Sequence, residues 1–249
     1  MNRFFFAIFL IPIFTFSQSN LPYNVGEHLF YDIYFGPIKV GDGDMKIERQ
    51  ININKIITFQ IKGKGKTAPF FDWFFKVRDV YETYLDISHV RPVKFIRDIR
   101  EGPYKKKEMY IFNHQDSVVF YKDTSQRIFS NTQDMLSALF YARTFTKENL
   151  QQNKSFFVPI FMDEENYSLE ILYLYNEEVE TKFGTVNCMV FKPKMQEGRV
   201  FEDGEQMKIW ISDDKSRLLV KVETEIWAGS LKAILQKYEE VKHPLSISK

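Results

Sequence analysis

The architecture follows from residues 209–229, IWISDDKSRLLVKVETEIWAG. Ile209 and Ile211 stand two apart before a polar centre, and Leu218, Val220, Val222 and Ile226 repeat the spacing after it. A period of two marks strands with one buried face. Between the runs lie Ser212, Asp213, Asp214, Lys215 and Ser216, turn formers whose short side chains hydrogen-bond nearby backbone. The adjacent carboxylates therefore read as a hairpin tip and not as an acid–base pair. Neighbouring strand residues point to opposite faces, and carboxylates at a tip are expected to be well solvated, without the burial or coupling that raises a pKa. A second turn at Ala228–Gly229–Ser230 leads to Leu231, Ala233 and Leu235, which extends the hairpin into a meander.

The same period runs through most of the chain. Leu29, Tyr31, Ile33 and Phe35 alternate before a Gly36–Pro37 turn, and Ile57, Phe59 and Ile61 alternate before GKGKT (63–67), expected to be a loop. Further strands are expected at about 77–86, 91–100, 104–113, 117–122, 155–162, 167–176, 185–192, 206–212, 217–227 and 230–240. Short connections make them antiparallel. Gly41 and Gly43 suggest a bulge or sharp bend that curls the sheet. One segment departs from the period: NTQDMLSALFYARTFTK (131–147) places Met135, Leu139, Ala142 and Phe145 at helical spacing. Asn131 or Thr132 can cap it, Asp134 suits its first turn, and Leu136 and Phe140 widen its apolar stripe. The expectation is a mostly β chain: a large curved antiparallel sheet or open β-barrel, with one principal helix at about 131–147 packed on or across it.

The amino end reads differently. MNRFFFAIFLIPIFTFS has one charge, Arg3, then an apolar run from Phe4 to Phe16, shorter than the about 20 residues that span a bilayer. Thr15 and Ser17 are small residues placed for cleavage before Gln18, so 1–17 is expected to be a secretory signal peptide and 18–249 a single β-rich domain. No later stretch is apolar enough to cross a membrane as a helix. Removing Arg3 leaves 34 − 1 = 33 basic residues against 33 acidic ones, a balance without the basic surface nucleic acid requires. The lone Cys188 between Val186 and Val190 reads as a small core residue.

Signatures of chemistry are sparse. His28, His89, His114 and His243 are scattered without metal-ligand spacing, and no nucleophile elbow, phosphate-binding loop or dinucleotide fingerprint is present. No catalytic residue, metal ligand or cofactor is therefore assigned. One stretch fits neither period: in APFFDWFF (68–75), Phe70, Phe71, Trp73, Phe74 and Phe75 would point in every direction. Such rings either pack in a core or form an exposed patch that marks a lipid, ligand or partner site.

Four blocks in order resemble the family called domain of unknown function 3108 (DUF 3108), in its Bacteroidetes form. They are GEHLFYDIYFGPIKVGDGDMKI (26–47), VRDVYETYLD followed by RPVKFIRDIREGPYKKKEMYIF (77–112), TQDMLSALFYAR (132–143) and KIWISDDKSRLLVKVETEIWAGSLKAIL (208–235). A proline common after the DD turn is replaced here by the Leu218–Leu219 region. The resemblance implies export to the periplasm or envelope of a Gram-negative bacterium and a β-rich fold similar to periplasmic lipoprotein carriers, whose curved sheet wraps an apolar cavity. It implies no activity and no catalytic residues. The resulting expectation is a non-enzymatic envelope protein that binds an apolar or lipid-like small molecule, or an envelope partner. Phe70, Phe71, Trp73, Phe74 and Phe75 would form the rim, and Met135 and Leu139 the lining. An exported hydrolase with a site assembled from distant residues, and a scaffold component of an envelope complex, are the alternatives.

Overall fold

Alternation along the chain becomes one antiparallel sheet. The structure, a computed structural model, describes residues 21–146, 150, 154–194, 206–226 and 229–248; the expected signal peptide and residue 147 of the expected helix lie outside them. In chain order the strands are β1 (His28–Phe35), β2 (Ile38–Ile53), β3 (Ile56–Thr67), β4 (Arg78–Asp86), β5 (Arg91–Glu101), β6 (Tyr104–Asn113), β7 (Val118–Tyr121) and β8 (Thr124–Arg127). Helix α1 (Met135–Ala142) follows, then β9 (Ser155–Met162), β10 (Glu165–Thr181), β11 (Gly184–Lys194), β12 (Gln206–Ser212), β13 (Leu219–Ile226) and β14 (Gly229–Glu239). Among the described residues they form a 14-stranded sheet in the order β8-β7-β6-β5-β4-β3-β2-β1-β14-β13-β12-β11-β10-β9.

This order is two meanders joined at their far ends. The first and last strands pair from His28↔Glu239 to Phe35↔Leu231, which makes one continuous curved sheet. Its free edges, β8 and β9, are neighbours in sequence, and the segment between them carries α1. The edges meet without a strand ladder. Phe161 on β9 instead packs edge-on against the inward-facing Tyr110 and Phe112 of β6, at 5.0 and 6.5 Å between ring centroids, and lies 5.5 Å from Tyr121 of β7. The sheet is thus an open barrel whose edge strand β9 is tucked in and held by side chains.

The inner face is apolar, with Leu29, Met45, Ile47, Phe59, Ile61, Phe95, Val119, Val190, Val220 and Leu235 in its main core. The outer face is mixed: Lys64, Lys66, Arg100, Lys105 and Lys107 are exposed there, beside exposed Val80, Met109, Ile111 and Phe120. Among the described residues no helix is long and apolar enough to cross a membrane.

Several local expectations are corrected. GKGKT is the end of β3 and not a loop, because its three-lysine alternation with Lys62, Lys64 and Lys66 is itself a period of two, with Gly63 and Gly65 turned inward. The bulge expected near Gly41 is present within continuous β2, since Ile33 pairs with Gly41 and Tyr34 with Lys39, leaving Val40 as the extra residue; none falls at Gly43, and a second shift lies at Ile47/Arg49. Gly41 is required for close approach, since a Cβ there would sit 2.4 Å from the Lys66 carbonyl oxygen. The helix is shorter than 131–147. Asp134 is its cap, accepting from the Leu136 and Ser137 amides at 2.8 Å while the Ser137 hydroxyl accepts from the Asp134 amide. Residues before the cap extend along the sheet edge, where Gln133 bridges Ile160 of β9. Four-residue β8 was not expected; its run TSQR has no apolar residue to show a period.

Candidate functional site

Helix α1 divides its side chains between two environments. Leu136 and Phe140 enter the main core, whereas Met135, Ala138, Leu139 and Ala142, at i, i+3, i+4 and i+7, share the opposite stripe. That stripe roofs a groove of about 170 Å³. Its floor comes from Ile160 and Met162 of β9, Leu169 and Ile171 of β10, Phe191 and Pro193 of β11, and Met207, Ile209 and Ile211 of β12. Every lining residue is apolar. At 10–15 Å³ for each water-sized sphere, the space suits roughly a dozen non-hydrogen atoms. Met135 at the helix start is 40% exposed, which leaves the groove open to solvent on that side.

The helix is held over this groove by two buried ionisable groups: Asp134, which the sequence placed in its first turn though not as the cap, and Arg143, which sequence reading missed. Asp134 at its amino end also accepts a hydrogen bond from the Thr83 hydroxyl at 2.6 Å. Burial pushes its carboxyl up to about 6, against the opposing effect of its hydrogen bonds. At the other end, the Arg143 guanidinium donates to both Glu27 oxygens at 2.5 and 2.9 Å and to the Arg217 carbonyl at 2.7 Å. Both members of the pair are buried, and the guanidinium lies 4.9 Å from the centre of the Tyr23 ring. A capping pattern of Asp followed three positions later by Ser is a faint signal for the first anchor. Nothing local announces the second, because its partners are 116 residues apart.

A third charged cluster joins the free edges. Arg97 of β5 points inward and donates to Glu108 of β6 and to Asp163 in the β9–β10 turn; Lys106 reaches the same two carboxylates at 3.0 and 2.6 Å. Lys122 adds a bond to Glu164 at 2.6 Å. Close by, burial and the neighbouring Asp79 raise the Glu101 carboxyl above its usual range.

The opening carboxylates do form a hairpin turn, between β12 and β13, but they are not well solvated. One oxygen of half-buried Asp214 accepts from the hydroxyls of Ser212 and Ser216 and the amides of Ser216 and Arg217, and the other from the Ser246 amide at 2.7 Å. Burial alone would raise its pKa; these hydrogen bonds outweigh burial and lower it. Cys188 is fully buried, as its apolar flanks suggest, and burial pushes its thiol up to about 12. Of the scattered histidines, His28 contacts Asp44, while His89 and His114 line one pocket with Asp86, where His89 contacts Asp86 and His114 the Pro92 carbonyl. Among the described residues no group of histidines, cysteines and carboxylates could hold a metal ion.

Of the residues singled out in the sequence, Met135 and Leu139 line the groove, and none of the five clustered aromatics does. The latter occupy the β3–β4 connection, around a short 3-10 turn at Pro69–Phe71. Phe70, Trp73 and Phe74 are 74%, 80% and 79% exposed, and Phe75 is 45% exposed. The core alternative for this stretch is therefore set aside. The loop is nevertheless ordered by its polar residues: Asp72 accepts from Thr67 at 2.6 Å and from both terminal nitrogens of Arg78 at 3.0 and 2.5 Å. The Arg78 and Thr67 hydrogen bonds also hold the Asp72 carboxyl below its usual range.

No curated protein matches the chain. In fold it is similar to a β-barrel-like protein of domain of unknown function DUF1849 from Brucella abortus, at 11% identity and a TM-score of 0.53, over 86% of this chain and 97% of that one. A second solved structure, described as an exported protein with a YmcC-like fold from Bacteroides fragilis, aligns at 8% identity and a TM-score of 0.37, over 88% of this chain and 98% of that one. The first likeness bears on the fold alone. Family membership comes from the sequence itself: residues 31–236 match the model of DUF3108, a protein family of unknown function, and the chain belongs to that family.

Proposed function

We propose that this is an exported, non-enzymatic protein of the bacterial envelope that binds an apolar or amphipathic ligand between α1 and β9–β12. The observation that carries the reading is the groove wall: every residue lining it is apolar, and it is roofed by a helix anchored at both ends by buried charged groups. Apolar concavities with few polar groups are the usual form of sites for apolar ligands. The groove's size favours a single acyl chain or a group of similar bulk over a whole two-chain lipid. Met135 and Leu139 contact the ligand in this reading. Export rests on Arg3, the Phe4–Phe16 run and the small residues before Gln18. Amino-terminal sequencing of envelope material should begin within about two residues of Gln18; an intact Met1 would overturn that part.

Binding is tested by native mass spectrometry of protein from its own envelope, together with titration of a fluorescent fatty acid. A co-purifying apolar molecule, and probe affinity lost when Ala138→Leu and Met207→Trp fill the groove, are the expected results. Equal affinity in the filled and wild-type proteins would remove the groove from consideration. The adjacent carboxylates Asp79 and Glu101 favour a second reading, an exported hydrolase, because burial and the neighbouring Asp79 raise the Glu101 carboxyl, the direction that suits a general acid. A hydrolytic activity abolished by Asp79→Asn in a folded protein would replace binding with catalysis.

A further inference from the structure

The loop 68–77 presents aromatic rings to solvent on a braced support, and we propose that it docks the protein onto an anionic lipid bilayer surface. Three features point to this partner. Exposed Phe70, Trp73 and Phe74 have their rings outside the sheet, which ordinary folding would not leave there without use. The loop does not collapse to hide them, because the Thr67–Asp72–Arg78 bonds and the Ala68 amide to Val40 carbonyl bond of 2.8 Å fix its backbone. On the side of the β5–β6 turn, the Gly102 amide donates to the Lys76 carbonyl at 2.8 Å, and Phe75 rests on Gly102 so closely that a Cβ there would lie 2.8 Å from its ring.

The third feature is charge. Exposed Lys76 lies on the loop, and exposed Lys64, Lys66, Lys105 and Lys107 lie on the adjoining ends of β3 and β6. Of the nearby acids, Asp72 is engaged by Arg78, Asp98 by Arg100, and Asp32 and Asp42 by Lys39, while Glu101, which bridges Val77 at the foot of the loop, faces Asp79. Aromatic rings at a tip, with lysines on the adjoining strand ends, complement a membrane interface, where apolar groups enter the acyl boundary and cations meet anionic headgroups. A protein partner would not require the lysines.

The placement also has a geometric consequence. The β5–β6 turn that braces the loop lies at the same end of the barrel as the β9–β10 turn, since Arg97 and Lys106 both reach Asp163. Met162, Pro193 and Met207, at the strand ends nearest that turn, line the groove. A docked loop would bring this end of the groove to the bilayer. The docking proposal stands without the groove reading, because its surface shares no residue with the groove.

Co-sedimentation with vesicles of phosphatidylcholine and phosphatidylglycerol tests it, using the exported chain and its variants, which all share one amino terminus. Trp73→Ser with Phe74→Ser should weaken partitioning by more than about tenfold, since affinity scales with inserted apolar area. Lys76→Glu with Lys105→Glu should weaken binding to these anionic vesicles but not to pure phosphatidylcholine, and added salt should shrink the difference. Trp73→Phe keeps an apolar tip and should retain binding, and the groove-filled variant should bind vesicles as wild type does. Unchanged partitioning in the double-serine variant would overturn the proposal. So would a concentration-dependent dimer, abolished by the same substitutions, in a protein that ignores vesicles, because the rings would then serve a second copy of the chain.

Discussion

The two meanders of the open sheet meet at two seams, and the seams are made differently. At the β1–β14 seam, backbone groups pair over the whole of β1, interrupted by one register shift at Phe30/Tyr31. At the β8–β9 seam a single parallel bridge, Gln133 with Ile160, stands beside ring packing at Phe161 and ion pairs at Asp163 and Glu164. A backbone ladder depends little on which residues form it, whereas a side-chain seam depends on each one. The second seam is also where α1 and its apolar groove lie.

Two substitutions should break this contrast most severely. Arg143→Ala leaves Glu27 buried without its partner and frees the helix end, and should cost about 3–5 kcal/mol by urea midpoint. Phe161→Ala should cost a similar amount, about 3–5 kcal/mol. In that variant, hydrogen exchange should accelerate in β9 and β6 to β8 while β1 and β14 stay protected. Uniform acceleration would mean that the two seams are one cooperative unit.

A pH series sharpens the role of the helix cap. Because burial raises the folded-state pKa of Asp134 to about 6, above its ordinary value of 3.8, the protonated form is the one the fold favours. Its contribution is full below about pH 4 and is lost as pH rises through about 6. Asp134→Asn imitates the protonated group. Its stability relative to wild type should therefore improve between pH 4 and 6 and level off above, by no more than about 3 kcal/mol in all. A flat difference across that range would show that the cap does not titrate there.

Smaller effects are expected away from the side-chain seam. Asp214→Asn turns an amide toward the Ser246 N–H, which currently finds an acceptor, and should cost about 1–3 kcal/mol. Trp73→Ser with Phe74→Ser should shift the urea midpoint least, by about 0.5 kcal/mol or less for each, since both rings are exposed. A larger loss would mean that these rings support the fold and would weaken their assignment to a bilayer.

The strand periods, the antiparallel order within each meander, the turn at Asp213–Asp214 and the apolar stripe of Met135 and Leu139 were legible in the sequence because each is a local pattern. β6, β9 and β12 lie where the alternation placed them, at Tyr104–Asn113, Ser155–Met162 and Gln206–Ser212. The aromatic stretch was legible only as an anomaly; whether its rings were buried depended on Asp72 and Arg78, polar residues whose pairing holds the loop off the core. Other features required the folded chain. The joining of β1 to β14, the ion pair between Glu27 and Arg143, and the shared hold of Arg97 and Lys106 on Asp163 bring together residues far apart along the backbone. Periodicity reports which face of a strand is apolar, but it carries no record of which distant strand, charge or ring will come to lie against it. Closure, burial of charge and the groove beneath α1 were therefore decided by tertiary packing.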